Sequence, residues 1–131
     1  MSDATPAIIG TKYKQPAEIV PVGRWGIDFS ANGNMDTGET LLDAVVIVSE
    51  NGAGYVKVVE VVGSALVVTV TPETADITDD LTFGDPAIDG GNVSIGFIGG
   101  DDGMTYHVDF LALSSQGAIY EEDMLVSVID A

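Results

Sequence analysis

The sequence predicts an all-β protein built as an antiparallel sandwich or barrel of about seven to eight strands, and three observations carry that expectation. Short apolar runs are separated by clusters of turn residues from Trp25 to the end of the chain. Within those runs apolar and polar side chains alternate, the period of two that puts successive residues on opposite faces of a strand. No stretch combines about ten residues of helical apolar spacing with a capping residue and a stop signal, so no long helix is expected. The clearest instance is Gly99 to Tyr106, Gly-Gly-Asp-Asp-Gly-Met-Thr-Tyr, a turn that runs directly into a strand. Beyond it, Tyr106, Val108, Phe110 and Ala112 share one face and His107, Asp109 and Leu111 the other.

Taken in order, the first 24 residues read as an extended arm. Pro6, Pro16 and Pro21, with Gly10 and Gly23, break any helical period and favour extended backbone. Residues 25–131 form the β domain. Trp25, Ile27 and Phe29 alternate in its first strand, and Ala31-Asn32-Gly33-Asn34 ends it with turn chemistry. Leu41 to Glu50 is rich in the β-branched residues that suit a pleated surface. Asn51-Gly52 signals a tight turn, and Tyr55 to Val62 returns. Ala65 to Thr71 follows Gly63 and is stopped by Pro72. Residues 73 to 89 read as irregular and acidic, with a short edge at Leu81 to Phe83. Val93, Ile95 and Phe97 alternate after Gly90-Gly91, and Ile119 to Ile129 closes the chain with Tyr120, Met124, Val126 and Val128 on a common face.

Composition narrows the function classes. A chain of 131 residues, 46% hydrophobic, can bury a sizeable core as one domain. It has no cysteine, so disulfides and thiolate metal sites are excluded, which suits assembly in a reducing cytoplasm. The longest wholly apolar stretch is the five residues Ala44 to Val48, and Met1 to Gly10 lacks a basic start followed by an apolar run. Neither a membrane span nor a signal peptide is expected. The net charge of −17 argues against binding nucleic acid, because phosphates would be repelled. The charge is unevenly placed: residues 1–24 carry +1, whereas residues 25–131 set 19 acids against Lys57 alone.

Several residue patterns invite a site. Asp102 and Tyr106 resemble the tyrosine corner of immunoglobulin-like sandwiches, in which a tyrosine hydroxyl bonds to nearby backbone and pins a crossover. Trp25 and Phe29 share the parity of Ile27 and read as core rather than as sugar-stacking platforms. Asp79-Asp80, Asp85, Asp89, Asp101-Asp102 and Glu121-Glu122-Asp123 offer oxygen atoms of the type calcium requires, but their spacing matches no dedicated calcium loop. His107 and Asp109 point the same way from one strand and read as a polar surface or interface contact, since no activated serine stands near Ser30, Ser114 or Ser115. Gly90-Gly91 and Gly99-Gly100 lack the helix and lysine of a phosphate loop. The expectation is therefore a non-enzymatic protein with no catalytic residue, cofactor or metal.

Five elements in order give the chain a resemblance to small tailed-bacteriophage proteins of the fiber-tail adaptor type. They are Lys14-Gln15-Pro16-Ala17-Glu18, Ile27-Asp28-Phe29-Ser30, Gly38-Glu39-Thr40-Leu41, Gly99-Gly100-Asp101-Asp102-Gly103 followed by Tyr106, and a terminal strand ending near Val128. The chain departs from that pattern in residues 73 to 92 and in its high negative charge. The resemblance implies an immunoglobulin-like β-sandwich with an N-terminal arm, acting as a structural part of a virion assembled in the host cytoplasm. Its expected partners are tail, neck, fibre or capsid subunits and copies of itself. Lys12, Lys14, Gln15, Pro16 and Arg24 of the arm, Asp101 and Asp102 of the glycine loop, and Glu121 and Glu122 of the terminal strand are the expected interface residues. A capsid decoration protein, and a calcium- or glycan-binding adhesion module, are the alternative readings.

Overall fold

In a computed structural model that describes residues 8–30, 35–51, 54–73 and 81–130, every regular element is a strand. In chain order these are β1 (Ile8–Lys14), β2 (Gly26–Asp28), β3 (Leu41–Glu50), β4 (Tyr55–Val62), β5 (Ala65–Pro72), β6 (Thr82–Asp89), β7 (Asn92–Phe97), β8 (Thr105–Ser114) and β9 (Ile119–Val128). They make a four-stranded sheet in the order β1-β9-β8-β3, a three-stranded sheet β2-β7-β6, and the hairpin β4-β5. The expected turn at Ala31 to Asn34, Gly52 of the Asn51-Gly52 turn, and Asp79-Asp80 lie outside the described residues.

The two larger sheets share one apolar core, and the sequence parity explains it. Tyr106, Val108, Phe110 and Ala112 of β8 and Met124, Val126 and Val128 of β9 face Ile27, Val93, Ile95 and Phe97 of β2 and β7, with Phe29, Val20 and Leu81 filling the margins. Trp25 packs against the same core, its ring centroid 5.5 Å from that of Phe97. Full burial of a Val, Leu, Ile or Phe side chain contributes about 1.5–3 kcal/mol, so this alternation is the main favourable term of the fold.

A second core lies on the other face of the four-stranded sheet. There Ile47, Leu111 and Leu113 meet Leu66, with Val59, Val68 and Val70 of the β4-β5 hairpin packed against them. β8 is thus covered on both faces, which is why Phe110-Leu111-Ala112-Leu113 runs apolar without a break where a half-buried strand would alternate.

Two features differ from the sequence-based expectations. Within the segment read as an arm, Ile8–Lys14 forms an edge strand that pairs parallel to β9, from Ile8 beside Asp123 to Lys14 beside Val128, so the four-stranded sheet is mixed rather than purely antiparallel. The chain between them is long enough to make the parallel return without a dedicated crossover helix. Val20 then bridges to Phe97 through two backbone hydrogen bonds of 2.8 and 2.9 Å, so this stretch lies against its own body. The second difference is β6, which continues through Asp89 where only a short edge at Leu81 to Phe83 was expected. Among the described residues it pairs with β7 on one side alone, and its register slips between Phe83 and Ala87, the interval holding Gly84 at φ 75° and Pro86. A proline is tolerated at such an edge irregularity, where no ladder hydrogen bond is asked of it.

Candidate functional site

The arm and the glycine loop meet at one end of the molecule. Tyr106, buried in the main core, turns its hydroxyl back so that Oη accepts a hydrogen bond of 2.9 Å from the Asp101 backbone N–H. The tyrosine thus pins the loop, as its spacing suggested, through the backbone of Asp101. The Asp102 carboxylate is used differently, accepting from the Asp130 N–H at 2.8 Å. Lys14 ends β1 inside the protein, and its ammonium donates to the carbonyls of Gln15 and Gly99, both at 2.6 Å. Burial lowers the Lys14 pKa, and the charge of Glu18 works against that shift. Of the residues expected at an interface, Lys12, Gln15, Arg24, Asp101 and Asp102 are exposed, Pro16 is half-buried, and Lys14 is turned onto its own chain.

The densest chemistry lies elsewhere, on the outer face of β8 and β9 beneath the hairpin. Asp109 of β8 stands opposite Asp123 of β9, and Leu111 opposite Glu121, so the odd-numbered positions bring His107, Asp109, Glu121 and Asp123 onto one face. From the hairpin, Tyr55 and Lys57 reach down from β4. The Tyr55 hydroxyl donates to Asp109 Oδ2 at 2.7 Å, and Lys57 Nζ is paired with both Asp109 Oδ2 and Glu121 Oε2. Beside them His107 Nε2 and Asp123 Oδ2 share a hydrogen bond of 2.5 Å.

Burial sets the electrostatics of this cluster. The Asp109 side chain is 1% exposed, and desolvation raises its pKa, opposed by Lys57 and Tyr55. The Tyr55 hydroxyl is pushed up by burial and by its bond to Asp109. His107 is raised chiefly by its hydrogen bond to Asp123, with burial opposing. Among the described residues, Asp109 Oδ1 and Asp123 Oδ1 are buried without a hydrogen-bond partner. A carboxylate oxygen from each of Asp109, Glu121 and Asp123 lies within 4.8 Å of the others; the Lys57 ammonium pairs with Asp109 and Glu121, and His107 with Asp123.

Sequence parity placed His107 and Asp109 on one face, but their partners come from other strands: Asp123 for the histidine, Tyr55 and Lys57 for the aspartate. Glu121, expected at an interface, pairs with Lys57 inside the chain, whereas Glu122 points to the opposite face of β9. Tyr55 and Lys57 were not singled out. The available signal was an isolated lysine at the parity of Tyr55 within a strand of valines. Ser49, beside His107 across β3 and β8, is fully buried and its Oγ has no hydrogen-bond partner among the described residues, so it forms no nucleophile–base pair with the histidine. An open groove of about 360 Å³ between β3 and β6 is lined by Ala44, Val45, Val46, Thr82, Phe83, Gly84, Pro86 and Ile95, none of which can titrate.

No protein-family model matches this chain, and no curated protein matches its sequence significantly. The fold defines its class, an all-β protein of several sheets.

Proposed function

We propose that this protein is a non-enzymatic structural component of a tailed-bacteriophage virion, an immunoglobulin-like β-sandwich that joins tail and fibres or serves another ring of the neck and tail. The five sequence elements in order support the family. The observation that carries an assembly role is the outer surface of the β4-β5 hairpin. Val56, Val58, Val62 and Val67 all face solvent there, Val58 being 54% exposed, on a chain of net charge −17. A valine-rich face, with Glu60 set among the valines, on a two-stranded ribbon with both edges unpaired among the described residues suits burial against a neighbouring subunit. Tyr13, 64% exposed on the edge strand β1, with Ile19 and Val22 beyond it, offers a second apolar surface on the arm. Repetition around a symmetric ring would multiply these small contacts into a stable attachment.

Cryo-electron microscopy of purified particles tests this reading by position. Density at the neck, tail or fibre junction with the hairpin against a neighbour is the expected outcome. Density on the faces of the head lattice would replace the tail assignment with capsid decoration, and absence of the chain from particles would overturn the virion role altogether.

A further inference from the structure

We propose that Lys57 and Asp109 become joined by an intramolecular amide bond, formed without any added enzyme, with Glu121 as the proton carrier. The cluster holds the three groups such a reaction needs and holds them on different strands: an amine on β4, a carboxyl on β8 and a second carboxyl on β9. Lys57 Nζ touches both carboxyl groups, and the Asp109 side chain is 1% exposed against 22% for Lys57 and 23% for Glu121.

The reaction balances within the pair. An ammonium and a carboxylate carry the same protons as an amine and a carboxylic acid, so a proton passing from Lys57 to Asp109 yields both reactive forms without exchange with solvent. Burial favours the uncharged form of Asp109, the direction in which its carboxyl is shifted. The amine nitrogen then attacks Asp109 Cγ, while the Tyr55 hydroxyl, bonded to Oδ2, steadies the charge gathering on that oxygen. Glu121 takes the proton from the attacking nitrogen and delivers it to Oδ1, the oxygen that holds the acid proton of Asp109 and has no hydrogen-bond partner among the described residues. Oδ1 then leaves as water while the charge on Oδ2 closes the amide carbonyl. One C–N bond forms, one C–O bond breaks, one water departs, and Glu121 ends as it began.

Two physical terms drive a condensation that bulk water would oppose. Held in contact, the groups react at effective molarities on the order of 10⁵–10⁸ M, and the buried product excludes the water that would reverse it. The product also removes a buried carboxylate with one oxygen left unpaired, a costly arrangement for an ion. This inference does not depend on where the protein stands in a particle.

The chain supplies its own assay, because Lys12, Lys14, Arg24 and Lys57 are the trypsin sites it contains. Folded full-length protein, then denatured, should show an intact mass short by one water. Trypsin should leave residues 25–131 as one piece, because an amidated Lys57 is no longer cleaved. Lys57→Arg should restore the full mass and give separate fragments 25–57 and 58–131. Glu121→Gln should slow the mass loss by about 100-fold or more. Full mass with normal cleavage after Lys57 in the folded wild-type chain would overturn the proposal. So would loss of water with normal cleavage, which would mark a succinimide at one of the Asp-Gly pairs, Asp89-Gly90 or Asp102-Gly103. Equal rates in wild type and Glu121→Gln would overturn the role of Glu121.

Discussion

Replacing Tyr106 by Phe removes one oxygen from the core and tests whether the tyrosine pins the glycine loop. The ring is buried among Val108, Val126, Val128 and Leu81, and Phe fills the same space without its hydroxyl. What is lost is the acceptor for the Asp101 N–H at 2.9 Å. An ordinary intramolecular hydrogen bond contributes about 1 kcal/mol, and a backbone donor left unpaired in a partly buried loop raises the loss to about 1–3 kcal/mol. The loop has further ties, since Gly103 N–H donates to Val128 O at 2.7 Å and Lys14 Nζ to Gly99 O at 2.6 Å, so the loss stays local and the fold persists. Urea unfolding should show a lower midpoint with an unchanged slope, the mark of lost stability without a change in the surface exposed. Tyr13→Phe is the control, because that side chain is 64% exposed on the edge strand β1 and should change stability by less than about 0.5 kcal/mol. If the two variants lose equally little, the pinning role is wrong.

Three further perturbations follow from the same contacts. His107 has a pKa raised by Asp123, so its contribution is complete below about pH 6.5 and is lost as pH rises through the folded value; the melting temperature should fall from mildly acid to alkaline pH, and the His107→Gln variant should flatten that part of the profile. Because the chain has a single histidine, an unchanged profile in the variant would refute the assignment. A methyl group at Gly26 would sit 2.3 Å from the Val93 carbonyl oxygen and 3.0 Å from Ser94 Cα, backbone atoms that cannot turn aside, so Gly26→Ala should part β2 from β7 and cost about 3 kcal/mol in denaturant unfolding. Lys57→Arg should melt about 10–20 °C below the wild type by calorimetry, since a bond across the 52-residue separation between Lys57 and Asp109 restricts the unfolded chain by about 4 kcal/mol; equal melting temperatures would contradict it.

How far the sequence reached depends on which physical rule governed each element. β2, β3, β4, β5, β7, β8 and β9 were legible because alternation and turn residues are local signals that survive in the fold. β6 was legible only at its start, the short edge expected at Leu81 to Phe83, because the glycine and proline that follow fit a strand only at an edge irregularity. β1 was hidden for another reason. Its neighbour β9 lies at the far end of the chain, and no local pattern announces a partner so distant in sequence. The tyrosine of the loop was found from its spacing, a short-range relation, although the backbone group it holds is that of Asp101.

The site shows the same division. Parity alone sets His107 and Asp109 on one face, and the lone Lys57 among valines is visible in the sequence. That Lys57 closes onto Asp109 and Glu121, and that His107 turns to Asp123, was decided by the register of β8 with β9 and by the hairpin folding over them. The residues alone determined the all-β class, the faces of individual strands and the dominance of negative charge, because these follow from side-chain order and composition. Partnerships between strands belong to the tertiary structure, because burial takes the hairpin and the sheet out of water together, and that shared desolvation fixes which charges must meet.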